Sequence, residues 1–422
     1  MFKPIRRRYG SALQSALLGG AALLIVIGIV RSPGEAFRAS LSGLQIWWQQ
    51  VFPGLIPPLI LAELLAASGL LHALSVLAEP LTRAWLRLPG AAGWAIAFGW
   101  TAGVPAGAKE TARLRDTGLL RDEDVDQLLL VSHVPNPFLV VAIAGAGFLQ
   151  SPALGWAMAG GVWSAALLSG FIWSRLNRPR RAASAAELPA PAPRPASPFR
   201  RAAQAASAAR KADGRPLGRQ LGDGVTQTVA ALMMVGGLMM MASVVLKLLQ
   251  LWIPGADVWL AIPGLYEMHL GAYGTGRSPL LESAPAQAAA LLAAVLAWTG
   301  WSGLLQARAA FGSASPFPWG RIIAGKLLQS ALALLITFPL ARIALSRGFQ
   351  ADAAALQWLP GSGIARQAMA AGDPGWLDLR LWPEVWLAGL FSLAVFLLLA
   401  LLAALIRPRP RRPDDPPPPG KQ

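Results

Sequence analysis

The stretch that most restricts this chain is Phe98 to Arg115, FGWTAGVPAGAKETARLR, where Gly99, Gly103, Pro105 and Gly107 interrupt an apolar run that then acquires charge. A straight spanning helix loses hydrogen bonds and packing at such a cluster, so the pattern predicts a chain that turns back as a hairpin. Broken backbone survives at membrane depth only where protein or a watery cavity satisfies its amides, so a break of this kind borders a pathway. The alternative is a packing helix merely kinked at Pro105.

The membrane setting follows from composition. Of 422 residues, 55% are hydrophobic and 14% charged, with a mean hydropathy of +0.47, which a water-soluble globule would not tolerate on its surface. No cysteine is present and only three histidines, so disulfides and thiolate metal sites are excluded and no metal or cofactor is expected. The net charge of +16 sits in segments flanking apolar spans, as the positive-inside bias places it. Membrane lipids, not nucleic acid, are the expected partners, and the tryptophans read as bilayer anchors.

Taken in order, Lys3 and Arg6 to Arg8 precede an apolar segment at about 12–30, and Arg31-Ser32-Pro33 is a poor cleavage site. Residues 1–43 are therefore read as a cytoplasmic basic segment and a retained first helix. Trp47 and Trp48 are read as the interfacial belt opening a second helix, roughly 44–70, bent by Pro53, Pro57 and Pro58 and carrying Glu63 among leucines. Glu63 is either a coupling group in a cavity or a carboxylate near the headgroups. Residues 71–88 read as an amphipathic segment along the cytoplasmic surface.

After the hairpin, a helix over about 125–149 is interrupted by Ser132-His133-Val134-Pro135-Asn136-Pro137, which frees carbonyls and amides to face a ligand. Asn136 and Ser132 are candidate ligand contacts; His133 is either a coupling group or a packing residue. A span over about 153–173 closes a first unit, 44–175. The Arg-, Pro- and Ala-rich stretch 176–220 reads as a disordered cytoplasmic linker.

A second unit, 221–345, contains a span at 226–251, Glu267 within Gly264 to Met268, and AWTGWSGLLQARAAF from Ala297. That last segment repeats the order of FGWTAGVPAGAKETARL: a Trp-Thr pair, closely spaced glycines, a basic residue and a small-residue helix. The expected fold is thus an all-α integral membrane bundle, polytopic, with an internal inverted repeat and broken or re-entrant helical hairpins. Charge bias opposes one detail. A second hairpin at 286–311 would leave Arg308, Arg321 and Lys326 outside, whereas a full span keeps them inside, and both topologies stay open. A polar loop (346–381), a last helix (382–406) and a basic Pro-rich tail (407–422) complete the reading.

The segments ELLAASGLL, AEPLTRAWLRLPG and GWTAGVPAGAKETARLRDTGLL resemble the YlbJ-type sporulation integral membrane proteins of the nucleoside-recognition, or Gate-domain, superfamily. Glu63, Glu79-Pro80-Leu81, Arg83, Pro89-Gly90, Gly103, Pro105, Gly107 to Lys109, Thr111-Ala112 and Leu114-Arg115 occupy the family's positions. Gly264 to Met268 and Thr299 through Gln306 resemble its second half more loosely. Ala102 and Val104 depart from the family's serine and tyrosine. The resemblance covers about 44–345 and implies a role in endospore formation, in a membrane surrounding the forespore, moving dipicolinic acid.

Dipicolinate is a small aromatic dianion, which half-helix N-termini and a nearby cation can hold. The candidate substrate contacts are Thr101, Gly103, Pro105, Gly107, Lys109, Ser132, Asn136, Thr299, Ser302 and Gln306, with Glu63, Glu267 and His133 as candidate coupling groups. The competing functions are a nucleoside-like solute transporter and a structural membrane protein of the spore envelope or cortex. Enzymatic activity is not expected, because the ionisable residues form no acid-base or nucleophile set. A homo-oligomer or other sporulation membrane proteins are further expected partners.

Overall fold

The computed structural model describes residues 4–176, 197–253, 263–312 and 317–346. Among these residues the secondary structure is entirely helical. Five segments are long and apolar enough to cross a membrane: Pro33–Ala67, Pro152–Leu176, Leu217–Trp252, Pro285–Ala310 and Trp319–Ser346. The first helix, α1 (Pro4–Arg31), turns Leu18 and Val30 outward, a surface that suits lipid.

Helix α2 (Pro33–Ala67) is continuous over 35 residues, about 52 Å at 1.5 Å per residue. It corrects the expected start near position 44. A π-wound turn at Trp47–Val51 lies just before Pro53 and absorbs part of the backbone mismatch that a chain with Pro53, Pro57 and Pro58 creates. Trp47 is not an interfacial anchor: it is buried, and its indole N–H donates to Leu232 O at 2.9 Å in the helix Leu217–Trp252. Trp48 alone stays exposed.

Helix α3 (Leu70–Ala84) lies beside a hairpin formed by α4 (Ala92–Ala102) and α5 (Val104–Asp116). With 11 and 13 residues, α4 and α5 reach about 16 and 20 Å, short of the roughly 30 Å hydrocarbon core. They turn back at Gly103, φ +94°, a conformation that strains residues with a Cβ. Trp94 at the start of α4 donates to Glu110 Oε2 on α5 at 2.6 Å, which fixes the two arms side by side.

The next span is broken into α6 (Val125–Ser132) and the π-wound α7 (Phe138–Phe148), followed by α8 (Pro152–Leu176). The linker region holds a helix, α9 (Pro198–Asp213), against the expectation of disorder over the described part of 176–220. It packs on α3, where Arg201 bonds Glu79 and Ala206 O closes on Gly69. Residues 177–196 lie outside the described residues.

Helix α10 (Leu217–Trp252) packs on α2, and the short α11 (Met268–Gly276) and α12 (Pro279–Ser283) lead into α13 (Pro285–Trp298). After a break at Thr299 and Gly300, both at positive φ, α14 (Gly300–Ala310) does not lie along α13 as α5 lies along α4. It packs on α5 instead, while α13 packs on α15 (Trp319–Ser346). Of the two topologies left open at 286–311, hairpin or full span, the structure shows a bent, broken helix whose two parts do not fold back on each other. The region beyond Ser346, with the expected loop, last helix and tail, lies outside the described residues.

Small residues let these helices approach. Ala288, Ala289, Ala293 and Ala297 of α13 are fully buried, and Gly161 of α8 sits directly against Thr337 of α15. In lipid, where solvophobic drive between helices is weak, such close backbone contact is a main source of association.

A crossing of broken helices as the candidate functional site

The α6–α7 break passes across the tip of the α4–α5 hairpin. A Cβ placed on Gly99 or on Gly107 would fall 2.1 or 2.0 Å from Ser132 O, so only glycine lets the hairpin approach this closely. Gly103 faces the Asn136 amide. The glycines that defined the hairpin in the sequence thus serve its contact with the second break.

Interrupting α6 leaves carbonyls that no helix turn satisfies. Trp100 Nε1 donates to Val131 O at 2.8 Å, and Trp163 Nε1 donates to Pro135 O at 3.4 Å. Lys326 Nζ, from α15, donates to His133 O at 2.6 Å and to Ala297 O at 3.4 Å. Asn136 spans the gap: its Oδ1 accepts from Leu139 N at 2.8 Å and caps α7, while its Nδ2 donates to Ala102 O at 3.5 Å at the end of α4.

Lys326 therefore joins the C-terminal ends of two half-helices, α6 and α13, where the helix dipoles place partial negative charge. It is fully buried. It lies seven residues into α15, about 10 Å from its start, too deep for a headgroup anchor at that end. Gln329, also buried, follows one turn along the same face.

The His133 ring lies between two half-helix N-termini. Its Nδ1 is 2.6 Å from Val104 O at the head of α5, and since a carbonyl only accepts, Nδ1 carries the proton of that bond. On the other side, a Cβ on Gly303 of α14 would stand 3.7 Å from Nε2. Neither α5 nor α14 has a side-chain cap on its first turn. Nε2 of His133, Oγ of Ser302 and Oε1 of Gln306 are buried with no hydrogen-bond partner.

The structure thus brings together Gly103, Gly107, Ser132, His133, Asn136, Thr299, Ser302 and Gln306. Ser132 Oγ bonds Thr111 Oγ1 at 3.0 Å, and the Thr299 hydroxyl donates to Trp298 O at 2.6 Å, so both are locally engaged. The other candidates fall outside. Lys109 is exposed, Thr101 donates back to Ala97 O at 2.8 Å in its own helix, and Pro105 is half-buried beside the tip. The expected cradle of amides over Gly103 to Gly107 is filled by the α6–α7 break.

Glu63 is half-buried beside Gly224 of α10. Glu267 instead caps α11, accepting from Leu270 N at 2.7 Å and from His269 Nδ1 at 2.6 Å. It touches the crossing only through backbone, as Ser302 N donates to Tyr266 O at 2.9 Å.

With several long apolar helices enclosing buried polar breaks, the location is settled. The protein is a multi-pass integral membrane protein. Over 239 residues, the chain is 34% identical to the sporulation integral membrane protein YlbJ of Bacillus subtilis (strain 168). The match covers 57% of this chain and 58% of that relative, so the chain spans less than two-thirds of its length. No family model and no solved structure matches the chain.

Proposed function

We propose that this protein is a membrane transporter for a small solute, acting during endospore formation in a membrane around the forespore. The observation that carries the reading is the meeting of broken helices at a buried polar crossing. Interrupted helices of this kind present half-helix ends to a solute and are how helical transporters build sites at membrane depth. The similarity to a sporulation integral membrane protein supports the process, and the resemblance noted in the sequence supports a dipicolinate-type anion as the cargo.

Enzymatic turnover is not part of the proposal. The buried ionisable groups at the crossing, His133 and Lys326, bond to backbone carbonyls. Uptake of radiolabelled dipicolinate into proteoliposomes containing the full chain tests the reading, with uridine as the competing solute. Saturable dipicolinate uptake above protein-free liposomes is expected. Uptake of neither solute, or of uridine alone, overturns the assignment.

A further inference from the structure

Four half-helix ends meet at the crossing, and their charges do not cancel. The C-terminal carbonyls of α6 and α13 are neutralised by Lys326, which bonds one carbonyl from each. The N-termini of α5 and α14 have no side-chain cap and keep their partial positive charge. Among the described residues, no carboxylate pairs with Lys326. The net field is positive, in a place where an uncompensated charge is costly.

We infer that this crossing is the binding site for the anion, with Lys326 Nζ and the Ser302 hydroxyl receiving a carboxylate group. The inference rests on the transporter reading and names the residues within it. Lys326 has three N–H donors and uses two, so one is available to a carboxylate oxygen. Ser302 and Gln306 lie four residues apart, hence on one face of α14, each with a buried polar atom that has no partner. Ser302 Oγ can donate to the anion directly, and Gln306 does so once its amide is rotated to present Nε2.

His133 holds the floor of the site, its Nε2 turned toward α14 and its Nδ1–H tied to α5. An unpartnered buried polar atom costs free energy that a ligand recovers, and of those at the crossing Ser302 Oγ can donate to an anion, as can the spare N–H of the buried Lys326. The exposed Lys109 has no part in it, nor has Arg342, which lines an open cleft of about 440 Å³ with Gln287 and Ser346.

The test is ligand-induced thermal stabilisation of the purified full chain, titrated with dipicolinate, for wild type, Lys326→Gln, the double variant Ser302→Ala/Gln306→Ala, Lys109→Gln and Arg342→Gln. Loss of a charge-assisted bond predicts about 10- to 100-fold weaker binding for Lys326→Gln. The double variant, which leaves the lysine and its carbonyls alone, is expected to weaken binding about 10-fold or more while melting like wild type without ligand. Both exposed-cation controls should bind within about 2-fold of wild type.

Wild-type affinity in the double variant overturns the site even where Lys326→Gln fails to fold, and so does a loss confined to Lys109→Gln or Arg342→Gln. A wild type that dipicolinate does not stabilise also overturns it. Binding that depends on these residues without proteoliposome uptake keeps the site and rejects the transporter reading.

Discussion

The closest backbone approach at the crossing gives the sharpest prediction about stability. In Gly107→Ala, the new Cβ would lie 2.0 Å from Ser132 O, against the 3.0 Å below which real Cβ atoms are essentially never found. Hairpin and break must separate by about 1 Å. Overpacking of this kind costs about 1 to 3 kcal/mol. Separation also stretches the Thr111–Ser132 and His133–Val104 hydrogen bonds, each worth about 0.5 to 1.5 kcal/mol, for a total of about 2 to 6 kcal/mol.

Gly237→Ala on α10 is the control, since nothing stands within 4 Å of its Cβ position. That change should gain about 0.5 to 1 kcal/mol from helix propensity. Thermal melting in detergent, followed by tryptophan fluorescence, should place Gly107→Ala and Gly99→Ala well below wild type and Gly237→Ala at or above it. Wild-type melting of both hairpin variants would refute the packing of the hairpin on the break.

Three further outcomes are expected. Replacing Trp47 by Phe removes the bond to Leu232 O at the α2–α10 contact, while that carbonyl keeps its bond within the helix, costing about 0.5 to 1.5 kcal/mol in the same melt. Changing Glu267 to Gln weakens the cap of α11 and its bond to His269, for about 1 to 3 kcal/mol, while the pH dependence of uptake stays that of wild type; a flattened profile would make Glu267 a coupling group. The Arg215 guanidinium beside Asp213 holds that carboxyl below its ordinary value of 3.8. A depressed folded value stabilises above the unfolded one and is lost as pH falls through it, so the α9–α10 corner should resist a protease at pH 7 and become more open to pepsin below about pH 4.

The hairpin at Gly103, the break at 132–137 and the spans at 153–173 and 226–251 could be read from sequence, because glycine, proline and long apolar runs act locally on backbone geometry. The continuity of α2 could not, since Pro53, Pro57 and Pro58 look like a stop unless a π turn relieves them. Helix α9 was hidden because its alanine- and arginine-rich sequence owes its order to α3, through Arg201 and Glu79, and not to its own pattern. The central residue of the crossing was also missed.

Lys326 sits in GRIIAGKLLQSALALL, where a lysine near the start of an apolar helix reads as a headgroup anchor. The available signal was its spacing with Gln329 and Ser330, polar residues at i, i+3 and i+4 on one face of an otherwise apolar helix. Which face that was, and which carbonyls awaited it, depends on contacts nearly 200 residues apart in the chain.

The most direct measurement exploits the absence of native cysteine. A single cysteine placed by Ser302→Cys should react with a small aqueous thiol reagent in membrane vesicles, and millimolar dipicolinate should slow that reaction, while Met158→Cys, in the packed face of α8, should stay inert. If Ser302→Cys is as unreactive as Met158→Cys, or if dipicolinate leaves its rate unchanged, the crossing is packing and not a solute pathway.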